Sequence, residues 1–227
     1  MKLPELTQVP GIPESAITDQ LITTLPALAA GAPWTCRARA VLWLGRGGKA
    51  ATAALAPAVA KQATALSVVG GMVHYEHTPV GPYDEVFGAV AFRQGRRLSA
   101  SVPFIAVNSA VSLVGGRSNW SLPKTLAQFE GEPAPGRTMT ASRDDWSVRA
   151  ATRATGPAVP ITISRPITQE WPGGAVRMAT LRARGRGRPA LVTVDVDAEP
   201  TLSSWLRSGR HLGIAFDTIR FTLAAPL

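Results

Sequence analysis

Lys124 is one of only four lysines in a chain of 227 residues that carries twenty arginines. It lies in the stretch GGRSNWSLPKTLAQF, residues 115–129, directly after Pro123. A lysine amine can lose its proton and attack a carbonyl carbon, whereas an arginine guanidinium stays protonated. The surrounding residues are largely apolar, which predicts a buried segment, and burial disfavours a charged amine. An isolated lysine is most often a solvated surface residue, whereas a buried Lys124 would be a neutral nucleophile near pH 7.

A second chemical feature is the stretch HTPVGPYDEVFGAVAF, residues 77–92, in which Tyr83, Asp84 and Glu85 precede an apolar run. A carboxylate at the mouth of an apolar barrel could transfer protons to and from a substrate. Asp84 fits a solvated strand edge, whereas the alternation of the strand does not decide where Glu85 points. The glycines and arginine at 115–117 predict a turn that brings the backbone close to a ligand.

Other residue types suggest no metal or cofactor chemistry. Cys36 is the one cysteine, so it cannot form an internal disulfide and it provides no metal-ligand pattern. His74 and His77 have i, i+3 spacing, but no third ligand is evident nearby in the sequence. We expect neither a metal site nor a cofactor.

The net charge of +9 favours anionic partners. The densest basic run, RARGRGRP at 182–189, is interrupted by glycine and proline, so we predict a basic hairpin loop there. Aromatic residues that could stack on bases do not interleave with the arginines. Nucleic-acid binding is therefore the least favoured function.

The elements that must position these groups are mostly strands. We predict a strand at 34–45, a helix at 48–66 interrupted at Pro57, a strand at 67–78, and two strands within 81–110 joined by the basic turn RQGRR. Further strand candidates fill the second half, with a short helix at 201–211. The predicted fold class is mainly β (α+β), an antiparallel barrel or sandwich with a few short helices.

The chain shows no linker or composition break, so we predict a single domain over 1–227 with residues 1–33 as an N-terminal arm. No signal-peptide pattern and no run of eighteen apolar residues is present, which predicts a cytoplasmic protein without membrane spans.

The two chemical stretches together resemble the acetoacetate decarboxylase family. That family has a Gly-x-Tyr-x-Glu motif on one strand and a Gly-Arg motif followed by Pro-Lys downstream. The resemblance is greatest over residues 67–130. The matching residues here are Gly81, Tyr83, Glu85, Gly116, Arg117, Pro123 and Lys124.

The resemblance implies a role for each matched residue. Lys124 would form the Schiff base with a small oxo acid, and Glu85 would transfer protons. The family also holds the substrate carboxylate with an arginine on an N-terminal strand, which here would be Arg37 or Arg39, with Arg37 preferred. Tyr83 and Arg117 complete the implied substrate-binding set. The implied fold is an antiparallel barrel-like domain that assembles into homo-oligomers.

Two departures from the family pattern bear on the reaction. The family's second lysine is replaced by Thr125, and the position of a second family glutamate falls, by spacing, near Gly70. The expected reaction is decarboxylation of an acetoacetate-like 3-oxo acid. Aldol condensation or dehydration of oxo acids through the same lysine is the alternative, followed by a non-catalytic protein that binds a small acid. The departures indicate a substrate or reaction other than that of acetoacetate decarboxylase itself.

Overall fold

The computed structural model describes residues 3–227 and consists mainly of β-strands. The strands are β1 (Trp34–Arg46), β2 (Ala63–His77), β3 (Tyr83–Gln94), β4 (Arg97–Val107), β5 (Lys124–Leu126), β6 (Gln128–Gly131), β7 (Thr138–Arg143), β8 (Trp146–Ala154), β9 (Val159–Glu170), β10 (Val176–Asp197) and β11 (Gly209–Leu223). The helices are 3-10 turns at Leu3–Gln8 and Pro13–Ser15, then α1 (Asp19–Ile22), α2 (Lys49–Ala53), α3 (Pro57–Ala60), α4 (Ala110–Trp120) and α5 (Pro200–Ser203). Within the described residues, no helix is long and apolar enough to span a lipid bilayer.

The eleven strands of this described part form one sheet that closes into a ring. The ring runs β1-β2-β3-β4-β9-β10-β11, and β11 pairs again with β1. Neighbouring strands are antiparallel, except that β4 pairs in parallel with β5 and meets β9 in parallel at Ala100 and Ile167. The C-terminal half of β10 extends the sheet through β8, β7 and β6. The predicted fold class, a mainly β barrel-like domain with a few short helices, is confirmed.

The strands β1–β4 are buried on both faces, because a separate hydrophobic core packs against each side of the sheet. On β1, Val41 and Trp43 belong to the first core, whereas Cys36, Ala38 and Ala40 belong to the second. Successive side chains of a strand point to opposite faces, so the two sets are kept apart by the pleat. All functional side chains described below lie on the side of the second core.

The N-terminal arm contributes to that second core. Leu6, Ile17 and Leu25 are buried there, and the backbone N–H of Ile12 donates to the carbonyl of Pro103 on β4 at 3.1 Å. The arm therefore covers the end of the sheet nearest β4 and β5.

Three local predictions were wrong, each because tertiary packing outweighed a local signal. Residues 182–189 form no hairpin loop but lie inside the long strand β10. The glycines in this run permit close strand approach, since a Cβ on Gly185 would lie 2.5 Å from the Thr218 carbonyl oxygen. The segment around 115–117 is helix α4 and not a turn. The predicted helix at 48–66 ends at Ala60, and β2 begins at Ala63.

Candidate active site

Lys124 enters the second core through the tight chain reversal that follows α4. Ser109 caps the helix start, accepting from the Ser112 N–H at 3.2 Å. At the other end, Ser121 adopts a left-handed conformation with φ of 53°, and its N–H donates to the Arg117 carbonyl at 3.1 Å. The chain then runs straight into β5, where Lys124 pairs with Ile105 of β4. The Lys124 side chain is thereby directed back across α4.

Gly116 makes room for that side chain. A Cβ at this position would lie 2.6 Å from Lys124 Cδ and 2.7 Å from Cε, closer than real contacts allow. The glycine of the Gly-Arg motif is therefore required by close packing of the lysine stem on the helix, not by a turn conformation.

The Lys124 amine contacts three polar side chains. Its Nζ donates to Glu85 Oε2 at 2.8 Å, to Ser112 Oγ at 2.9 Å and to Tyr83 Oη at 3.3 Å. Lys124 is 3% exposed and Glu85 4% exposed. The structure thus brings together Lys124, Glu85 and Tyr83, three of the residues predicted from sequence, in a site almost sealed from solvent.

Tyr75 and Ser112 belong to the same group, although sequence reasoning missed both. Tyr75 Oη donates to Glu85 Oε1 at 2.9 Å, and its ring stacks on that of Tyr83 with centroids 4.3 Å apart. The position of each residue relative to a predicted site residue could have indicated its place in the site. Tyr75 pairs directly with Tyr83 across β2 and β3. Ser112 precedes Gly116 by four positions, so both lie on one helix face.

The electrostatics of the site correct the expectation of a neutral amine. Burial lowers the pKa of Lys124, but the Glu85 carboxylate and the Tyr83 hydroxyl raise it, so the net pKa lies above the ordinary lysine value. Burial also raises the pKa of Tyr83 and of the nearby Cys36 to about 12, and that of Tyr75 well above its usual value. At neutral pH the Lys124 amine is therefore protonated, and the surrounding tyrosine hydroxyls and the Cys36 thiol are uncharged.

Arg37 and Arg39, predicted to hold a substrate carboxylate, do not join Lys124. Arg37 Nε lies 2.9 Å from Glu76 Oε2, and Arg39 Nη1 donates to Glu132 Oε2 at 3.0 Å. Both arginines occupy the odd positions of β1, on the face opposite Cys36 and Ala38. The sequence could not decide this, because both faces of β1 are largely apolar.

Arg117 contacts Lys124 through the backbone instead of the amine. Its Nε donates to the Lys124 carbonyl at 2.6 Å, and its two Nη groups donate to the carbonyls of Leu6 at 2.6 Å and Ser15 at 2.5 Å. The side chain is 1% exposed, and burial lowers its pKa to about 9, so it stays protonated at neutral pH. Arg117 therefore ties β5 to the N-terminal arm, and its donors are directed at backbone carbonyls.

The two positions at which the chain departs from the family pattern also have structural explanations. A Cβ on Gly70 would lie 2.1 Å from the Trp43 ring, so this position faces the first core and not the Lys124 amine. Thr125 is buried on the opposite side of β5 from the amine, and its hydroxyl donates to the Ala16 carbonyl at 3.3 Å. Neither residue contacts the Lys124 amine.

Several arginines cluster on the outer face of the ring, away from Lys124. Arg184 of β10 and Arg37 of β1 both lie directly opposite Arg220 of β11. Two open depressions of about 540 and 500 Å³ share Arg184 and Arg220 in their walls. This arginine face is where an anionic partner would be attracted.

No protein-family model and no curated protein sequence matches this chain. Solved structures do match over most of its length. An acetoacetate decarboxylase-like enzyme from Sphingomonas wittichii RW1 has a TM-score of 0.62 at 16% identity, covering 87% of this chain and 94% of that one. The chain has the acetoacetate decarboxylase-like fold.

Two further structures support this assignment of the acetoacetate decarboxylase-like fold. Acetoacetate decarboxylase from Legionella pneumophila matches with a TM-score of 0.61 at 13% identity, covering 86% of each chain. The enduracididine biosynthesis enzyme MppR, in complex with the condensation product of pyruvate and imidazole 4-carboxaldehyde, matches with a TM-score of 0.59 at 13% identity, covering 87% of this chain and 89% of that one. At such low identity, the similarity concerns the fold.

Proposed function

We propose that the protein is a lyase in which Lys124 forms a Schiff base with a small carbonyl compound. The observation that carries this proposal is the buried contact of the Lys124 amine with Glu85 Oε2 at 2.8 Å and Ser112 Oγ at 2.9 Å. A nucleophilic amine needs a group that takes its proton and later returns it. The 2.8 Å contact supports assigning both transfers to Glu85.

The steps can be written with their protons. Lys124 gives a proton to Glu85, and the free amine adds to the carbonyl carbon. The carbonyl oxygen takes up two protons by way of Glu85 and leaves as water. In total, the Lys124 ammonium and the carbonyl compound are converted to an iminium and water. Glu85 ends this sequence as a carboxylate. The hydroxyls of Ser112 and Tyr83, both within 3.3 Å of the amine, can hydrogen-bond the oxygen before it leaves.

Two reactions can follow from the iminium. A 3-oxo acid would release carbon dioxide, with the electron pair passing into the iminium to give an enamine. Alternatively, loss of an α-proton to Glu85 would give an enamine that adds to a second carbonyl compound, with or without later loss of water. The similarity to a decarboxylase and to MppR, whose structure holds a condensation product, is compatible with either reaction.

A non-catalytic role is the second candidate, and the raised pKa of Lys124 favours it. In that case the ammonium would bind the carboxylate of a small acid without covalent chemistry. The substitution Lys124→Arg separates the two, because an arginine can keep an ionic contact but cannot form an imine. We also keep the prediction of a homo-oligomer, which light scattering of the purified protein would test.

Borohydride trapping tests the proposed function. The protein is incubated with small ketones, aldehydes and oxo acids, reduced, digested and analysed by mass spectrometry. We expect a reduced adduct on the peptide that contains Lys124. Lys61→Arg, which replaces an exposed lysine, should label like the wild type, whereas Lys124→Arg should not label in that peptide. Failure of every compound to label Lys124 would refute the proposal.

A further inference from the structure

We infer that the substrate bound at Lys124 is an uncharged ketone or aldehyde, and not an oxo acid. This inference rests on the proposed function, because it specifies the carbonyl compound that Lys124 attacks. It also decides between the two reactions above, since decarboxylation requires a substrate carboxylate.

The first argument is the placement of the cations. Arg37 and Arg39 face away from the site and are paired with Glu76 and Glu132. Arg117 directs its donors at the carbonyls of Lys124, Leu6 and Ser15. Of the cations predicted from sequence for this site, this leaves Lys124 itself, whose amine is needed for the chemistry and is paired with Glu85.

The second argument is the charge balance of the site. Lys124 and Glu85 together carry no net charge, and they are the charged groups that shift the pKa values of Cys36 and Tyr83. A substrate carboxylate would lose its hydration without gaining a cation, which costs several kcal/mol. It would also lie close to the Glu85 carboxylate, and like charges in a buried site repel strongly.

The third argument is the chemistry of the surrounding side chains. The residues of β1 and β2 that face the second core include Cys36, Ala38, Val73 and Tyr75. Val73 lies directly opposite Glu85, and Ala38 lies directly opposite Tyr75. Phe221 packs edge-on against Tyr75, with ring centroids 5.8 Å apart. Such an environment suits the alkyl groups of a ketone or aldehyde. The hydroxyls of Tyr83 and Ser112 suffice for a single carbonyl oxygen.

The reaction that this environment permits is aldol addition or its reverse. The iminium of the ketone loses an α-proton to Glu85, and the enamine carbon bonds to the carbon of an aldehyde. The aldehyde oxygen takes the proton from Glu85, and water hydrolyses the regenerated iminium to release the product. The atoms balance with the two carbonyl compounds alone.

A pair of nearly isosteric probes tests the inference on the wild-type protein. Pentane-2,4-dione and acetoacetate both carry a methyl ketone at one end. At the other end, pentane-2,4-dione has a second methyl ketone, whereas acetoacetate has a carboxylate. Each is supplied at equal concentration at neutral pH with cyanoborohydride, and the labelling rate of Lys124 is followed by peptide mass spectrometry. Each rate is divided by the rate of the same probe with Nα-acetyllysine, which removes intrinsic differences in reactivity.

We expect the neutral probe to label Lys124 about tenfold faster or more on this normalised scale. Labelling by acetoacetate at an equal or higher normalised rate, whether intact or after loss of carbon dioxide, would overturn the inference and leave the Schiff-base function standing. Labelling by neither these probes nor any other carbonyl compound in the trapping screen would overturn both. Lys61→Arg again serves as the matched control for labelling at exposed lysines.

Discussion

Lys124 Nζ lies 2.8 Å from Glu85 Oε2, and the two side chains are buried together beneath Tyr75 and Tyr83. Their protonation states therefore depend on each other. Burial lowers the pKa of Lys124, because it disfavours the ammonium. The Glu85 carboxylate and the Tyr83 hydroxyl raise this pKa, and together they outweigh burial. A substitution at Glu85 should therefore change the pKa of Lys124.

The substitution Glu85→Gln should lower the pKa of Lys124, because burial then acts without the carboxylate that offsets it. We expect the pH at which an amine reagent labels Lys124 half-maximally to fall below that of the wild type. Removing one partner of a buried pair should also cost about 3–5 kcal/mol of unfolding free energy. Urea unfolding measures the second effect, and mass spectrometry of the labelled peptide measures the first.

The double substitution Glu85→Gln with Lys124→Met is the control for that cost. Because it removes both charges, its stability should lie closer to the wild type than that of Glu85→Gln alone. A double variant that is no more stable than Glu85→Gln would contradict the expected cost of an unpaired buried lysine.

The pair should also give stability a defined pH dependence. The folded-state pKa of Lys124 is raised, so its contribution is fully present below the ordinary lysine pKa of 10.5 and is lost as pH rises through the folded value. We expect the difference in unfolding free energy between the wild type and the double variant to stay constant up to about pH 10 and to shrink as pH rises above 10.5. A difference that grows over this range would contradict the raised pKa.

The substitution Gly116→Ala should impair the lysine without unfolding the helix. Alanine is favoured over glycine in a helix by about 1 kcal/mol, but its Cβ would displace the Lys124 stem. We expect at least about tenfold slower imine trapping with a small change in melting temperature. Gly115→Ala is the matched comparison, since its Cβ meets the Trp34 ring at 2.5 Å and should reduce stability more than labelling.

The substitution Arg117→Lys should loosen the N-terminal arm. A lysine cannot supply the guanidinium geometry that serves three carbonyls, so at least one buried carbonyl would lose its donor, at about 1–3 kcal/mol each. We expect a lower melting temperature and faster proteolysis within the arm. Arm cleavage at the wild-type rate would show that Arg117 does not hold this segment.

Repulsion between arginines on the arginine face should lower the stability of the sheet. Arg220 lies directly opposite both Arg184 and Arg37, and like charges opposed across strands destabilise a sheet. Replacing Arg220 by Thr should raise the unfolding free energy by about 0.2–1 kcal/mol, with the gain shrinking in high salt. Arg188→Thr is the control, because it removes the 3.1 Å ion pair with Asp217 and should bring no gain.

RNA binding offers a separate check of the same surface. Steeply salt-dependent binding that is weakened by Arg220→Thr would revive the nucleic-acid hypothesis. We expect no such binding, because aromatic residues that could stack on bases do not interleave with the arginines in the sequence.

Local patterns in the sequence were sufficient for much of the sheet. The hairpin of β3 and β4 around the turn at Gly95 and the strand at 34–45 were predicted from alternation and turn residues. The motif resemblance was enough to nominate Lys124 with Glu85, which lie 39 positions apart in the chain. Helix α4 escaped prediction because two adjacent glycines lower helix propensity, whereas packing against Trp34 and Lys124 requires them.

The amino-acid sequence by itself determined the fold class and the identity of the buried lysine and carboxylate. Only the tertiary structure decided which face of β1 meets them, because the side chains of that strand alternate between two apolar cores. It also decided the charge of the amine. Burial and a carboxylate shift a lysine pKa in opposite directions, and their balance depends on distances that no local pattern contains.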